Sequence, residues 1–228
     1  LGISYVDINN DLEEFKDPKV RQALSLALDR KYMAETITAG INSPATGFVP
    51  TGVLDWDGSA WADNITDKSV YYDNDNFDAN LAKAKELLKE AGHENGEGLP
   101  TMSYTTNDAG FNKKVAEYLQ QAWKELGINV EVNIVEWKSF IPQRRSGNYQ
   151  IARDGWVMDY NDPSNVLECT YSTNGNNSSR YKSPEFDALL DKAANESDAK
   201  TRFGYFHQAE ELLLKDTGVI PLMYQNET

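Results

Sequence analysis

Cysteine is nearly absent from this chain. Cys169 is the only one among 228 residues, so no internal disulfide can close and no cysteine-rich zinc site can be built. Histidine is almost as scarce. His93 and His207 stand alone, too few for a metal cluster or a histidine-based triad. Nothing beside Cys169 marks an activated thiolate, and the residue reads as a small buried hydrophobe. No catalytic group, metal or cofactor is expected from this inventory. Positive charge is short as well: 22 Lys and Arg face 36 Asp and Glu, a net charge of −14. Nucleic acid demands a basic surface for its phosphates and is excluded as a partner, and anionic membrane surfaces with it. Such acidity names no partner of its own, because it serves solubility first. Long apolar runs are missing too, and without a window of 18 apolar residues no transmembrane helix is expected. No signal peptide or lipidation motif is visible. With Leu1 in first place, that says little about location.

What is present describes an ordinary globular protein. Hydrophobic residues make up 40% and charged residues 25%, a balance that supports a packed core. The length suits one such core, so residues 1–228 read as a single domain. Ile3 to Ile8 alternates as a strand. Asp17-Pro18 sets an N-cap before a proline at the first helical position, and Val20, Ala23, Leu24, Ala27 and Leu28 recur behind it at helical spacing. From Ile41 to about Asn76 runs an irregular excursion longer than a usual loop, which Trp56 and Trp61 are expected to pin to the body. Further helices are expected at 76–92, 111–126, 137–145, 184–194 and 200–214. The stripe Val115, Tyr118, Leu119, Ala122, Trp123, Leu126 marks the second as a core helix. Strands are expected at 101–105, 128–135, 149–156 and 218–224, and 174–179 reads as a polar, mobile loop. This alternation predicts an α/β fold with a mixed sheet flanked by helices. The chain opens and closes on strands, and residues 3–8 and 218–224 are expected to lie side by side.

The most informative stretch is Arg153-Asp154-Gly155-Trp156-Val157-Met158-Asp159-Tyr160-Asn161-Asp162-Pro163. It reads as a strand that stops at an acidic, aromatic turn. Gly155 lets another backbone come close. Trp156 and Tyr160 offer apolar walls with polar tips. Asp159 sits where the strand gives out, a natural place to hold a cation. A strand edge ending in a carboxylate suits an extended peptide, paired along its main chain and held by its amino terminus. The plainer reading is a core strand followed by an Asn-Asp-Pro turn.

This stretch resembles the WxxDYxDP region of the oligopeptide- and dipeptide-binding proteins of ABC importers, the peptide/nickel solute-binding family. Three other stretches agree, in the same order. Phe15-Lys16-Asp17-Pro18-Lys19-Val20-Arg21-Gln22-Ala23-Leu24, through Asp29-Arg30, is similar to that family's F-DP-VRQAL--A-DR signature. Pro44 to Pro50 resembles the proline-bounded loop behind it. Tyr181-Lys182-Ser183-Pro184-Glu185-Phe186-Asp187 resembles the segment before the last helices. The matches run from about residue 3 to residue 224.

The resemblance implies a fold, a function and a site. The fold is the inserted C-terminal lobe of a two-lobed periplasmic-binding-protein type II architecture, with the first lobe absent from this chain. The function is capture of short peptides outside the cytoplasm, by a protein anchored through lipid in its full-length form, and delivery to the membrane subunits of an ABC importer. Asp159 matches the carboxylate that pairs with the peptide's amino terminus. Arg144 and Arg153 match basic side chains that meet the carboxyl terminus; otherwise Arg144 favours the end of its own helix and Arg153 pairs with Asp154. Trp137 and Trp156 match aromatic positions lining side-chain pockets, so Asp159, Trp156, Trp137 and Arg153 are expected to share one concave face beside Gly155. Some relatives carry a histidine where Asn112 precedes Lys113-Lys114, a departure that bears on peptide length. Two other readings remain: the same family binding a dipeptide, nickel complex, heme or sugar, and a glycoside hydrolase with paired carboxylates about 5–10 Å apart. The sequence offers no particular carboxylate pair, and the scarcity of histidine argues against direct nickel ligation.

Overall fold

The structure is a computed structural model that describes residues 1–226. Strand β1 (Gly2–Ile8) sends alternate side chains to two different cores, as a period of two requires. Ile3 and Tyr5 enter one core, and Val6 and Ile8 the other. Helix α1 (Pro18–Leu26) starts as its sequence implies, with the Asp17 side chain accepting from the Lys19 N–H. Asp29 caps the short α2 (Arg30–Tyr32), which widens at once into a π turn over Met33–Ile37. The brief strand β2 (Asn42–Pro44) precedes the long excursion. Helix α3 (Phe77–Glu90) follows, then strand β3 (Met102–Asn107), helix α4 (Asn112–Lys124) and strand β4 (Val130–Val135). Helix α5 (Trp137–Arg145), strand β5 (Ile151–Val157) and the single turn α6 (Ser164–Leu167) come next. Helices α7 (Pro184–Ala194) and α8 (Ala199–Asp216) lead into the closing strand β6 (Val219–Gln225).

Among the described residues six strands form one mixed sheet in the order β2-β6-β1-β5-β3-β4. β1 lies antiparallel between β6 and β5, with Gly2 opposite both Gln225 and Val157, while β5, β3 and β4 run parallel. The first and last strands are therefore neighbours, as expected. One face of the sheet is covered by α1, α3 and α4, whose Leu24, Leu88, Leu119 and Trp123 join Val6, Ile151 and Leu222 in a core. The other face is covered by α7, α8 and the excursion, where Phe48, Trp61, Phe186, Phe206 and Leu213 pack on Ile3, Tyr5 and Tyr224. A smaller cluster of Phe140, Tyr149 and Ala152 seats α5.

Two arginines of the N-terminal signature do structural work. Arg21 donates to the carbonyls of Phe15 (2.6 Å), Asp216 (2.8 Å) and Thr217 (3.2 Å). Arg30 donates to the carbonyl of Pro221 at 2.8 Å and lies 3.6 Å over the Tyr72 ring. Both supply donors to main-chain oxygens that would otherwise be buried unpaired, and both tie the start of the chain to its end.

The excursion is held by one carboxylate. Glu210 on α8 is fully buried. Its Oε2 accepts the N–H groups of Phe48 (3.0 Å) and Val49 (2.5 Å), and its Oε1 accepts from Trp61 Nε1 (2.9 Å) and the Tyr71 hydroxyl (2.5 Å). Beside it His207 Nε2 meets Asp55 Oδ2 at 2.6 Å, and the Trp61 indole stacks on the His207 ring with centroids 3.6 Å apart. Trp61 thus pins the excursion as expected. Trp56 does not: it stands 44% exposed, beneath Lys200. The stretch 174–179 is also tighter than its composition suggests. Ser178 and Ser179 are buried, Asn177 Nδ2 donates to the carbonyls of Tyr171 and Tyr181, and the Tyr149 hydroxyl donates to the Ser178 carbonyl. Polar side chains there satisfy backbone rather than solvent.

Candidate functional site

Strand β5 has one open edge. Its pairing with β3 covers only Ile151 and Ala152, whereas its pairing with β1 runs the full length from Ile151 to Val157. Met158 N–H donates to the Leu1 carbonyl and Asn9 N–H to the Gln150 carbonyl. Antiparallel partners exchange bonds at every second residue, so even-numbered residues of β5 address β1. The backbone groups of Arg153, Gly155 and Val157 address the other side, where no described strand pairs with them. Two of those groups are occupied from within: the Arg153 carbonyl accepts from Arg144 Nη1 at 2.8 Å, and the Gly155 N–H donates to Asp154 Oδ1 at 2.7 Å. Gly155 is tight on the side of β1, where an added Cβ would meet the Ile3 carbonyl at 3.2 Å.

The turn beyond β5 is bolted down almost everywhere. Asn165 Oδ1 accepts from both Trp156 Nε1 (2.8 Å) and the Asp159 N–H (3.2 Å). Asn161 bonds the Leu54 N–H and the Gly52 carbonyl, each at 3.0 Å. Asp162 takes a two-pronged contact from Arg202 at 2.8 and 3.0 Å. Asp159 and Tyr160 are exposed at its tip, and no described cation pairs with the Asp159 carboxylate. A rigid turn thus presents a free carboxylate at the end of an open strand edge. Asn165, which sets the Asp159 backbone and the Trp156 ring together, carries no motif of its own.

Alongside the edge lies a cavity of about 570 Å³ whose lining includes Trp137, Arg153, Tyr104, Asn112 and Gln225. Arg153 and Trp137 are brought together there. Trp156 is not, because alternation along β5 turns it to the sheet face opposite Arg153, and Asp159 lies beyond the strand's end. The four residues therefore flank the edge without lining one concavity. Asn112 is fixed by bonds from its Nδ2 to Asn107 Oδ1 and carbonyl, both 3.2 Å.

Arg144 points inward instead. It is buried, 3.2 Å from Asp154 Oδ1 and 4.0 Å from Asp7 Oδ2. Asp154 pairs with Arg144, not with Arg153. Two buried carboxylates thus share one guanidinium. Burial pushes the Asp7 carboxyl well above the usual range, and the neighbouring Asp154 charge pushes it further. A carboxyl raised in the fold favours the folded state most below its unfolded value near 4, and that contribution is lost as pH rises through the folded value. Asp7→Asn is therefore expected to leave stability at pH 8 unchanged or higher and to flatten the pH dependence above pH 4. Urea titrations at several pH values would check this, and a marked loss at pH 8 would overturn it. Cys169 is buried, as expected, and burial pushes its thiol up.

The model of the "Bacterial extracellular solute-binding proteins, family 5 Middle" matches residues 1–178. The chain belongs to that family. It is 31% identical to the dipeptide-binding protein DppE of Bacillus subtilis, over 99% of this chain and 40% of that protein. It is similar to the solved Haemophilus influenzae OppA in complex with the peptide RPPGFSPFR, with a TM-score of 0.85 and 29% identity over 98% of this chain and 42% of that one. A solved peptide-binding protein of a peptide ABC transporter matches with a TM-score of 0.87 and 28% identity, over 99% of both chains. The chain spans about two fifths of the length of the curated relatives it matches. Family 5 proteins are binding proteins, not enzymes, so the glycoside-hydrolase reading falls.

Proposed function

We propose that this chain holds a short peptide along the outer edge of β5, with the peptide's amino terminus at Asp159, as part of a protein that passes peptides to an ABC importer outside the cytoplasm. One observation carries the reading: a strand edge with no strand partner from Arg153 to Val157, two of its groups met by side chains, that ends at an exposed, unpaired carboxylate on a rigid turn. Main-chain pairing along an edge supplies affinity without choosing side chains. An ammonium against a carboxylate in a closed site forms a charge-assisted bond. Arg153, unpaired and half-buried in the cavity wall, suits the peptide's carboxyl end through its planar fork. Trp137, 52% exposed at the start of α5, supplies an apolar wall. Arg144 serves as a positioning residue, holding the Arg153 carbonyl and Asp154 so that the edge keeps its shape. The remaining length seen in the relatives supplies the opposite wall, so that the ligand is enclosed when two lobes close, and lipid anchoring belongs to the same full-length protein.

The test compares free and N-acetylated forms of the same tri- to hexapeptides by calorimetry on the full-length protein. The free amine is expected to bind more tightly, and equal binding of the two forms would sink the amine-anchor role. The 228-residue chain alone is expected to fold, since each sheet face already carries its own core. It is expected to bind peptides no tighter than about millimolar. One wall leaves the ion pair in water, where such pairs contribute about 0–1 kcal/mol, against several kcal/mol of lost translational and rotational freedom. Micromolar binding to this chain alone would show that a second wall is dispensable.

A further inference from the structure

A second recess lies on the helical layer, away from the β5 edge. Helix α3 packs chiefly against α1, so its first turn stands off from the last turns of α4. The gap is a cavity of about 440 Å³, and its lining includes Tyr32, Phe77, Tyr118, Asp29, Gln121 and Glu125. The Tyr32 and Tyr118 rings meet at 37° with centroids 5.3 Å apart, forming a V. The Asp29 N–H donates to the Tyr118 hydroxyl at 2.7 Å and fixes that ring. Tyr32 is 44% exposed, a large aromatic face that no core uses. The titratable acids of the lining are Asp29 and Glu125, and among the described residues no lysine, arginine or histidine lines the recess. Ala27 closes α1 here, and Ala122 and Glu125 stand at the end of α4. The starts of α2, capped by Asp29, and of α3 border the gap as well, so helix ends of both signs meet there.

We propose that this recess is a docking site for an arginine side chain carried by a partner protein. The rings offer π faces to a guanidinium. The carboxylates of Asp29 and Glu125 supply the charge it needs. Arginine is favoured over lysine because its planar, weakly hydrated head stacks on aromatic faces and can be forked by a carboxylate. The volume lies near the low end for a ligand pocket, enough to seat one extended side chain rather than a domain face. The site shares no residue with the β5 edge, so each proposal stands or falls alone.

The probe is N-acetyl-arginine-N-methylamide, whose blocked amine cannot use Asp159. Titrated to ~50 mM against the fluorotyrosine-labelled chain, it is expected to shift the Tyr32 and Tyr118 signals saturably. Affinity in the millimolar range is expected. The citrulline and norleucine counterparts are expected to bind at least about fivefold more weakly, and the lysine counterpart to fall between. Glu125→Gln, at an exposed position, is expected to weaken arginine binding several-fold at low salt without affecting the fold. Tyr32→Ala is expected to abolish the Tyr118 shift, and Asp159→Ala to change nothing. Citrulline or norleucine binding as tightly as arginine would reduce the recess to an apolar groove. The absence of any saturable shift at either tyrosine would overturn the proposal outright.

Discussion

Glu210→Ala is expected to cost about 3–5 kcal/mol of stability, the range for breaking up a buried charged network. Each of its oxygens accepts two bonds, one pair from the Phe48 and Val49 main chain and one from the Trp61 indole and Tyr71 hydroxyl. Truncation strands four donors at once, and each buried unpaired group costs about 1–3 kcal/mol. Glu210→Gln retains the shape yet is expected to cost about 1–3 kcal/mol. Either placement of its NH2 group turns a donor toward two donors. Burial also pushes the Glu210 carboxyl up, while the bonds from Tyr71, Val49 and Trp61 pull it back down. Denaturant midpoints for both variants, together with proteolysis mapped to residues 41–76, would check this. A cost below about 1 kcal/mol for Glu210→Ala would show that the excursion is held by apolar packing instead.

Asp159→Ala is expected to weaken peptide binding by the full-length protein by about 2–5 kcal/mol, the cost of stripping one partner from an enclosed, hydrogen-bonded charge pair. That is roughly a thirtyfold to several-thousandfold change in Kd. The loss should vanish when the peptide is N-acetylated, because the deleted carboxylate then has no charge to meet. A double-mutant cycle with the acetyl group as one arm isolates that coupling. Since Asp162, Asn161 and Asn165 hold the turn without help from the Asp159 side chain, the melting temperature should barely move. An affinity loss of equal size for acetylated and free peptides would assign Asp159 a role in shape rather than in charge.

The parts legible in the sequence were those whose causes are local. Asp17-Pro18 announces α1 and the Val115-to-Leu126 stripe announces α4, because caps and periodicity act within a turn or two. The family signature placed the strand, the acidic turn and Asp159. The parts that stayed hidden depend on partners far along the chain. Glu210 looks like one more acid on an amphipathic helix, yet its donors lie at residues 48, 49, 61 and 71. Asn165 looks like a turn residue, and Arg144 like a helix-ending cation, until β1 brings Asp7 beside it. Trp56 and Trp61 are chemically the same in the sequence, and the bond to Glu210 and the stacking on His207 separate them. The π turn at 33–37 carries no propensity signal, and β2 exists only because β6 is there to pair with.

The placement of β1 and β6 sets an order on folding. The first and last strands of the chain sit side by side in the interior of the sheet, Gly2 against Gln225 and Asp7 against Val219. Closing that pair requires a loop spanning nearly the whole chain, the longest closure this topology contains. During synthesis β1 emerges before both of its neighbours, with one flank awaiting β5 and the other awaiting β6. The β3-α4-β4 unit and the α7-α8 pair can form from nearby residues, while the sheet that unites the two cores stays unfinished until residue 219 and its successors are free. A chain stalled or truncated before β6 would hold an apolar strand with an open edge, the condition that invites pairing with another chain. Pulse-labelled hydrogen exchange is expected to protect β3 and β4 before β1.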